Sequence, residues 1–362
     1  MANSIDTGRS KFVSNSDGKY EILGSTSVIG YDDKYDYEGD FLLTARVGAN
    51  AGQLYRHSGR VKISDNTVFV QGGNLNFIFY MLMNSDIKKL SFGTGQPLIK
   101  ASELRELELM LPKSNEEQEK IGAFFNRLHN LITLQQRKLD KIKKLKSAYL
   151  SKMFPKEGEK YPRLRFAGFT DVWEQRKLGD LGKTFTGLSG KTKNDFGHGD
   201  AEFVTYMNVF SNPISNTDQT ENVEIDDRQN EVEYGDIFFT TSSETPEEVG
   251  MSSVWLGNKP NVYLNSFCFG YRPTEKLDPY YMAYMLRSPE VRKKFLFLAQ
   301  GISRYNISKT KVMDLFVPIP KIEEQMVIGK FLNNLDNLIT LHQRELEKLK
   351  QLKQAMLQKM FV

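Results

Sequence analysis

Apolar residues recur at three- and four-residue spacing through two long stretches of this chain. In the first, Ile121, Phe124, Phe125, Leu128, Leu131, Ile132, Leu139, Ile142, Leu145, Tyr149 and Met153 fall on one stripe. In the second, Ile328, Phe331, Leu332, Leu335, Leu338, Ile339, Leu346, Leu349, Leu352, Met356 and Met360 do the same. This period predicts two amphipathic helices. Glu116–Phe154 aligns without a gap on Glu323–Phe361, 207 positions later, with 25 identities in 39 positions, so one helix is written twice. Each copy opens with Glu-Glu-Gln after a proline-bearing strand end, "LMLPKSN" or "LFVPIPKI", and Ser114 with Glu117 predicts a capping box. A helix this long, roughly 57 Å, is unstable alone with one apolar face. Two in one chain can pair lengthwise as an antiparallel coiled coil with an approximate two-fold relation. The pairing residues expected are Ile121, Leu128, Leu131, Leu139, Ile142 and Leu145 on the first helix, and Ile328, Leu335, Leu338, Leu346, Leu349 and Leu352 on the second.

The segments before the helices share only their edges. Each has a short helical piece, "YMLMNS" or "AYMLRS", then a polar loop, "GTGQPLIKASEL" or "QGISRYNISKT", then the strand entering the repeat. Their bodies differ but are both strand-rich, with apolar runs such as Phe41–Leu43, Val68–Val70 and "YGDIFFTTSS" between glycine turns. The expected fold class is α+β (mixed α/β), with a pseudo-two-fold internal repeat. The expected divisions are a first globule over 1–112, a central helix over 113–155, a second globule over 156–316 and a C-terminal helix over 317–362.

Composition narrows the function classes. At 362 residues, 40% apolar and 26% charged, the chain has room for two cores. The absence of an apolar leader at "MANSIDTGRSK", and of any window near 18 uninterrupted apolar residues, leads us to expect a cytoplasmic protein. The single cysteine, Cys268, in "VYLNSFCFGY", is expected to be a buried, reduced thiol. A net charge of +4 is small, yet Arg137–Lys160 carries nine basic side chains against Asp140, Glu157 and Glu159. That run is either a solvated helix face or an attraction for phosphates. "FTGLSGKT" has Phe185 where a phosphate-binding loop needs its first glycine, and "GANAG" lacks the third glycine of a dinucleotide fingerprint. "SNPIS" has a single proline after asparagine, where an adenine methyltransferase signature needs two and an aromatic. His57, His129, His198 and His342 have no metal-ligand spacing, so no metal is expected.

With the duplicated "P…EEQ…I" helix openings, the run "WEQRKLGDL" from Trp173 to Leu181 and the "GTGQ" turn before the first helix, the chain resembles the specificity (S) subunits of type I restriction-modification systems over nearly its whole length. The resemblance implies a non-catalytic subunit with two target recognition domains, each reading one half of a bipartite, asymmetric DNA site. The helices would set the unread spacer and dock two methyltransferase subunits. The partners implied are double-stranded DNA, the methyltransferase subunits and restriction/translocase subunits, with no membrane. No cofactor would be bound by this chain; the partner subunits would use S-adenosylmethionine, ATP and magnesium. One departure from the pattern is that nothing before Ala2 matches Arg163–Leu181, so the first recognition domain is expected to be N-terminally shortened.

For a DNA reader, Arg, Lys, Asn and Gln on turns are the residues expected at base edges, with hydroxyls and lysines at phosphates. The candidates are Arg46, Asn50, Gln53, Tyr55, Arg56, Lys62, Asn66 and Gln96 in the first domain. In the second they are Lys191, Lys193, Asn194, Tyr206, Asn208, Thr241, Ser242, Ser243, Arg304, Tyr305 and Asn306. No nucleophile, base and oxyanion constellation can be assembled, so no catalytic residue is expected. A bidentate protein-binding scaffold and a silent, shortened specificity subunit are the alternatives.

Overall fold

The computed structural model describes residues 2–85, 87–90 and 97–361. The chain divides into two compact units, one of residues 1–138 with 343–362, the other of residues 139–342. Each long helix therefore contributes to both.

In unit 1, β1 (Ala2–Thr7), β2 (Tyr20–Leu23), β3 (Val28–Asp32), β4 (Tyr37–Ala45), β5 (Leu54–Ile63) and β6 (Thr67–Gly72) form a sheet in the order β1-β6-β4-β5-β2-β3. Its pairs are antiparallel except β2 with β5. α1 (Leu75–Asn84) follows, started by Asn74, whose side-chain oxygen accepts from the Phe77 N–H at 3.1 Å. Then come α2 (Ala101–Arg105) and α3 (Asn115–Lys152). One face of the sheet buries Leu42, Val68 and Val70 against Phe77, Ile78 and Met81 of α1. Ile121 and Phe125, from the start of α3, complete that core, and Met356 and Leu357 of the C-terminal helix pack on it with Phe361, which follows that helix.

Unit 2 continues with β7 (Glu174–Lys177), α4 (Leu178–Leu181), β8 (Gly182–Thr186), β9 (Phe196–Val204), α5 (Tyr206–Ser211), β10 (Thr220–Val223), β11 (Ile237–Thr240), β12 (Ser242–Ser243) and β13 (Ser252–Val254). β14 (Val262–Leu264), β15 (Cys268–Pro273), α6 (Pro279–Met285), α7 (Pro289–Leu298), β16 (Tyr305–Asn306), α8 (Lys309–Met313), β17 (Phe316–Ile319) and α9 (Ile322–Met360) complete it. Its strands form sheets β13-β11-β15-β8 and β10-β9-β14 and the pairs β12-β16 and β17-β7. The main core joins Phe239 and Phe269 to α6, α7 and Ile328 and Leu332 of α9. Cys268 is buried as expected, and burial pushes its thiol up to about 12.

The two helix copies meet their globules alike. The buried Gln118 and Gln325 side chains turn back to donate to the Pro112 and Pro320 carbonyls at 2.9 and 2.8 Å, which accounts for a glutamine closing each Glu-Glu-Gln triplet. Ser114 accepts from the Glu117 N–H at 3.4 Å, the serine half of the expected box. Gly122 and Gly329, again 207 apart, lie against the start of a short helix. A Cβ there would come within 2.7 Å of the Phe77 nitrogen or 2.6 Å of the Tyr281 nitrogen.

The helices run antiparallel inside each unit. Gln135 donates to Glu345 at 2.5 Å in unit 1; Lys146 meets Asp336 at 2.5 Å and Tyr149 packs edge-on to Phe331 in unit 2. Not all of the expected stripe is used for pairing. Ile121 and Ile328 pack into the globular cores, because the first turns of each helix lie on the globule. Leu128, Leu139 and Leu346 are buried, and Ile142, Leu335 and Leu349 are half-buried. Leu131, Leu145, Leu338 and Leu352 are instead exposed, a correction to the expected seam: a stripe wide enough for a globular helix exceeds what one partner helix covers. Leu134 and Leu341 are exposed with them. Unit 1 thus presents Leu131, Leu134 and Leu352, and unit 2 the matching Leu338, Leu341 and Leu145. No helix of the described residues is long and apolar enough to cross a membrane.

Candidate nucleic-acid interface

Unit 2 gathers most of its candidate residues by short pairings around the end of β11. Ser242 and Ser243 pair with Asn306 and Tyr305. Thr241 donates through both its N–H and its hydroxyl to the Phe267 carbonyl, at 3.0 and 2.8 Å. The Tyr206 hydroxyl donates to the Ser242 carbonyl at 2.7 Å, and its ring stacks on Phe210 at 5.9 Å; burial raises the phenol pKa. Gln300 and Asn306 bond each other's backbone, so Gly301–Arg304 projects as a tight tip with Ile302 and Arg304 exposed. Beside this face, Lys191, Lys193, Tyr206, Met207, Phe203 and Phe267 are among the residues lining a cavity of about 530 Å³. Lys193 and Asn194 are exposed, and the Asn194 carbonyl meets the His198 ring at 2.7 Å.

Two arginines that sequence reasoning passed over hold this face in place. Arg287 donates from Nε to the Ser252 carbonyl at 2.6 Å and from Nη2 to the Val209, Phe210 and Asn212 carbonyls at 2.8, 2.9 and 2.9 Å. Arg292 donates to the Gly250, Glu247 and Val249 carbonyls at 2.7, 2.8 and 2.6 Å. Burial lowers each guanidinium to about 10, which leaves both charged at neutral pH. Nothing in their local sequence distinguishes them from solvated helix residues. Exposed apolar side chains on the same face, Met207, Phe267 and Ile302, were also missed, since a sequence pattern assigns such residues to a core.

Several candidates belong to the fold rather than the surface. The buried Asn208 donates to the Asn216 and Gln219 carbonyls, both at 2.8 Å. Ser243 is buried and donates to Glu248 at 3.2 Å. Lys191 is nearly enclosed, 3.1 Å from Asp226.

In unit 1, Arg46 caps the end of β4: its N–H donates to the Asn66 carbonyl at 2.9 Å, and its guanidinium to the Asp65 carbonyl at 3.3 Å. Asn50 sits exposed on the turn between Gly48 and Gly52, whose φ values of 90° and 82° need glycine, Gln53 is exposed just after it, and Asn66 is exposed on the β5–β6 turn. Three residues are corrections. Tyr55 donates to the Gly24 carbonyl at 2.5 Å and packs on the core. Lys62 is buried, bonded to the Lys11 carbonyl at 3.0 Å and Asp36 at 3.3 Å. Arg56 points from β5 onto α1 and α3. All three lie within β5, whose two faces are both covered: Tyr55 packs on one core and Arg56 on the helices opposite. Gln96 lies outside the described residues.

The opening Arg163–Leu181 run earns its place by covering the start of α9. Arg165 and the Trp173 Nε1 donate to the buried Glu324, and β7 pairs with β17.

Residues 3–144 and 170–351 match the type I restriction modification DNA specificity domain. The chain belongs to that family. Within it, the chain is 22% identical over 358 residues to the type I restriction enzyme MjaVIII specificity subunit of Methanocaldococcus jannaschii, covering 88% of this chain and 77% of that one. It is 29% identical over 212 residues to the MjaX specificity subunit of the same organism, covering 56% of this chain but only about half, 48%, of that relative. The fold resembles the crystal structure of a type I restriction-modification system S subunit from M. genitalium, with a TM-score of 0.66 and 16% identity over 100% of this chain and 94% of that one. Two recognition-domain bodies and two long antiparallel helices are therefore the family architecture.

Proposed function

We propose that this chain is a non-catalytic DNA-specificity subunit of a type I restriction-modification complex. The observation that carries the proposal is the family match over both halves, together with a polar loop face in unit 2 whose backbone is fixed from behind by Arg287 and Arg292. Each unit reads one half of a bipartite, asymmetric site on double-stranded DNA. In unit 2, Lys193, Asn194, Tyr206, Thr241, Ser242, Arg304, Tyr305 and Asn306 supply the contacts; in unit 1, Arg46, Asn50, Gln53 and Asn66 do, with Gln96, outside the described residues, as a further candidate.

Half-sites read from one side of the duplex lie about 34 Å apart, and helices of 38 and 39 residues are long enough to set an unread spacer of that size. The matched exposed leucines give each unit its own copy of an apolar helix face, which suits two methyltransferase subunits. Restriction/translocase subunits join through the same complex in the cytoplasm. S-adenosylmethionine, ATP and magnesium belong to those partners.

The test is genome-wide adenine methylation in a methylation-free host that expresses the cognate methyltransferase with or without this chain. A bipartite motif with a fixed gap, seen only with the chain, is the expected result. A well-folded chain that leaves no motif would overturn the proposal.

A further inference from the structure

Unit 1 contains a cluster of cations that has no acidic partner among the described residues. The Arg56 guanidinium lies 3.9 Å from the Phe79 ring centroid and 5.0 Å from that of Tyr80, and its Nη1 donates to the side-chain oxygens of Asn76 and Asn126 at 2.9 Å each. Its Nε and Nη2 are buried without a hydrogen-bond partner, as is the Tyr80 hydroxyl, which lies near Arg56 but makes no hydrogen bond of ordinary geometry with it. The Lys353 ammonium sits 5.3 Å from the Tyr80 ring centroid. Burial, then Arg56, lowers the Lys353 pKa; burial, then Lys353 and Arg56, lowers that of His129. Among the described residues no carboxylate acts on any of the three. A cavity of about 280 Å³ opens beside His129 and Lys353, which line it with Gln53, Phe79 and Lys88; Arg56 and Tyr80 lie outside its lining.

The duplication shows what is different. Lys353 is the copy of Lys146, His129 of Asp336, and Tyr80 matches Tyr284, six residues after the N-cap Asn74 or Asp278. In unit 2, Lys146 lies 5.4 Å from the Tyr284 ring centroid and 2.5 Å from Asp336, and the Tyr284 hydroxyl donates to that carboxylate at 2.9 Å. There the chain supplies its own oxyanion between lysine and tyrosine. In unit 1 a histidine stands in its place, and Arg56 adds a further cation.

We propose that Arg56, Lys353, His129 and the Tyr80 hydroxyl form an oxyanion site in unit 1 that takes a carboxylate from outside the chain, in the role that Asp336 fills in unit 2. Buried cations retained without a counter-charge are costly, and a carboxylate arriving in the cavity can accept from the Lys353 ammonium within the field of the Arg56 guanidinium. The carboxylate is that of a free small acid or of an acidic side chain on a docking protein. The inference does not depend on DNA reading by the chain.

The test uses the full chain with ring-labelled histidine, His129 being assigned through His129→Asn. The His129 titration is followed in acetate, in a glutamate-rich peptide, in inorganic phosphate and with duplex DNA, each against chloride at equal ionic strength. Acetate should raise the His129 pKa by about one unit, tenfold in proton affinity. Lys353→Met should abolish that response. His129→Asp, which supplies the carboxylate internally, should raise Tm by about 4 °C or more and remove the dependence of Tm on acetate. A peptide acting at far lower concentration than acetate assigns the carboxylate to a protein partner, and equal potency to a free acid. A response to phosphate or DNA but not to acetate overturns the carboxylate assignment. No shift with any anion, with His129→Asp no more stable, overturns the site; if that variant does not fold, the wild-type and Lys353→Met titrations decide alone.

Discussion

The Arg165 guanidinium grips the Glu324 carboxylate with two parallel hydrogen bonds of 2.7 Å, Nε to Oε1 and Nη2 to Oε2. Glu324 is 1% exposed and accepts a third bond from Trp173 at 3.1 Å. Its copy 207 positions earlier, Glu117, is exposed. The same residue of the same repeat is thus an anchor in unit 2 and a solvated side chain in unit 1.

Glu324→Gln should destabilise unit 2 by about 3 kcal/mol, because it leaves the Arg165 charge enclosed without its partner. Glu117→Gln should change stability by less than about 0.5 kcal/mol. Chemical denaturation of the two single variants measures the contrast; equal losses would contradict the assigned roles.

Two histidines should act on stability with opposite sign as pH changes. His198 is raised by the Asn194 carbonyl and then Glu224, so its contribution is fully present below its unfolded pKa of about 6.5 and is lost as pH rises through the higher folded value. His129 is lowered by burial and by Lys353 and Arg56, so the folded state gains stability as pH rises from the lowered folded value to about 6.5. Denaturation between pH 5 and pH 8 of His198→Gln and His129→Asn isolates each slope, and the His198 slope should shrink in salt because that pair is exposed.

Much of this organisation was legible in the chain, and the reason is physical. A period of 3.6 sustained over some forty residues, copied at a fixed offset, leaves few alternatives to paired helices. Which leucines of the stripe meet a partner was not legible, since Leu128 and Leu131 carry the same apolar signal and only packing separates them. Candidate contacts divided along similar lines. Lys193 and Asn194 stand exposed, whereas Lys62 and Asn208, of the same chemical types, are tied to carbonyls inside the fold. A residue's hydrogen-bonding capacity can be read from its name, but not whether the chain itself uses it.

That division predicts different losses. Lys193→Ala should weaken DNA binding to any sequence and lower the slope of log affinity against log salt by about one, the mark of a single phosphate contact. Asn208→Ala should instead unfold the 206–219 loop, costing about 2 kcal/mol and the second half-site together. Fluorescence anisotropy across a salt series, beside thermal melts, distinguishes the two.

Arg287→Met should cost about 3 kcal/mol by leaving enclosed carbonyls unpaired, and should erase methylation at sites defined by the second half-sequence. Thermal melts and methylation profiling of the variant check both effects; a stable variant with unchanged methylation would contradict the positioning role.

Deleting Leu139–Leu145 alone should wreck helix pairing and stability. Deleting Leu346–Leu352 with it should restore folding and shift the length of the unread spacer, seen as a changed gap in the methylation motif. An unchanged gap in the double deletion would count against the spacer role.

Gly122 and Gly329 bear on any attempt to make this protein more heat-resistant. Replacing a helical glycine with alanine is a routine stabilising step, worth about 1 kcal/mol where the site is open. Here the added methyl would strike a backbone nitrogen at both positions, so the substitution that improves most helices would pry each of these from the body it carries. An engineer guided by propensity alone would choose both.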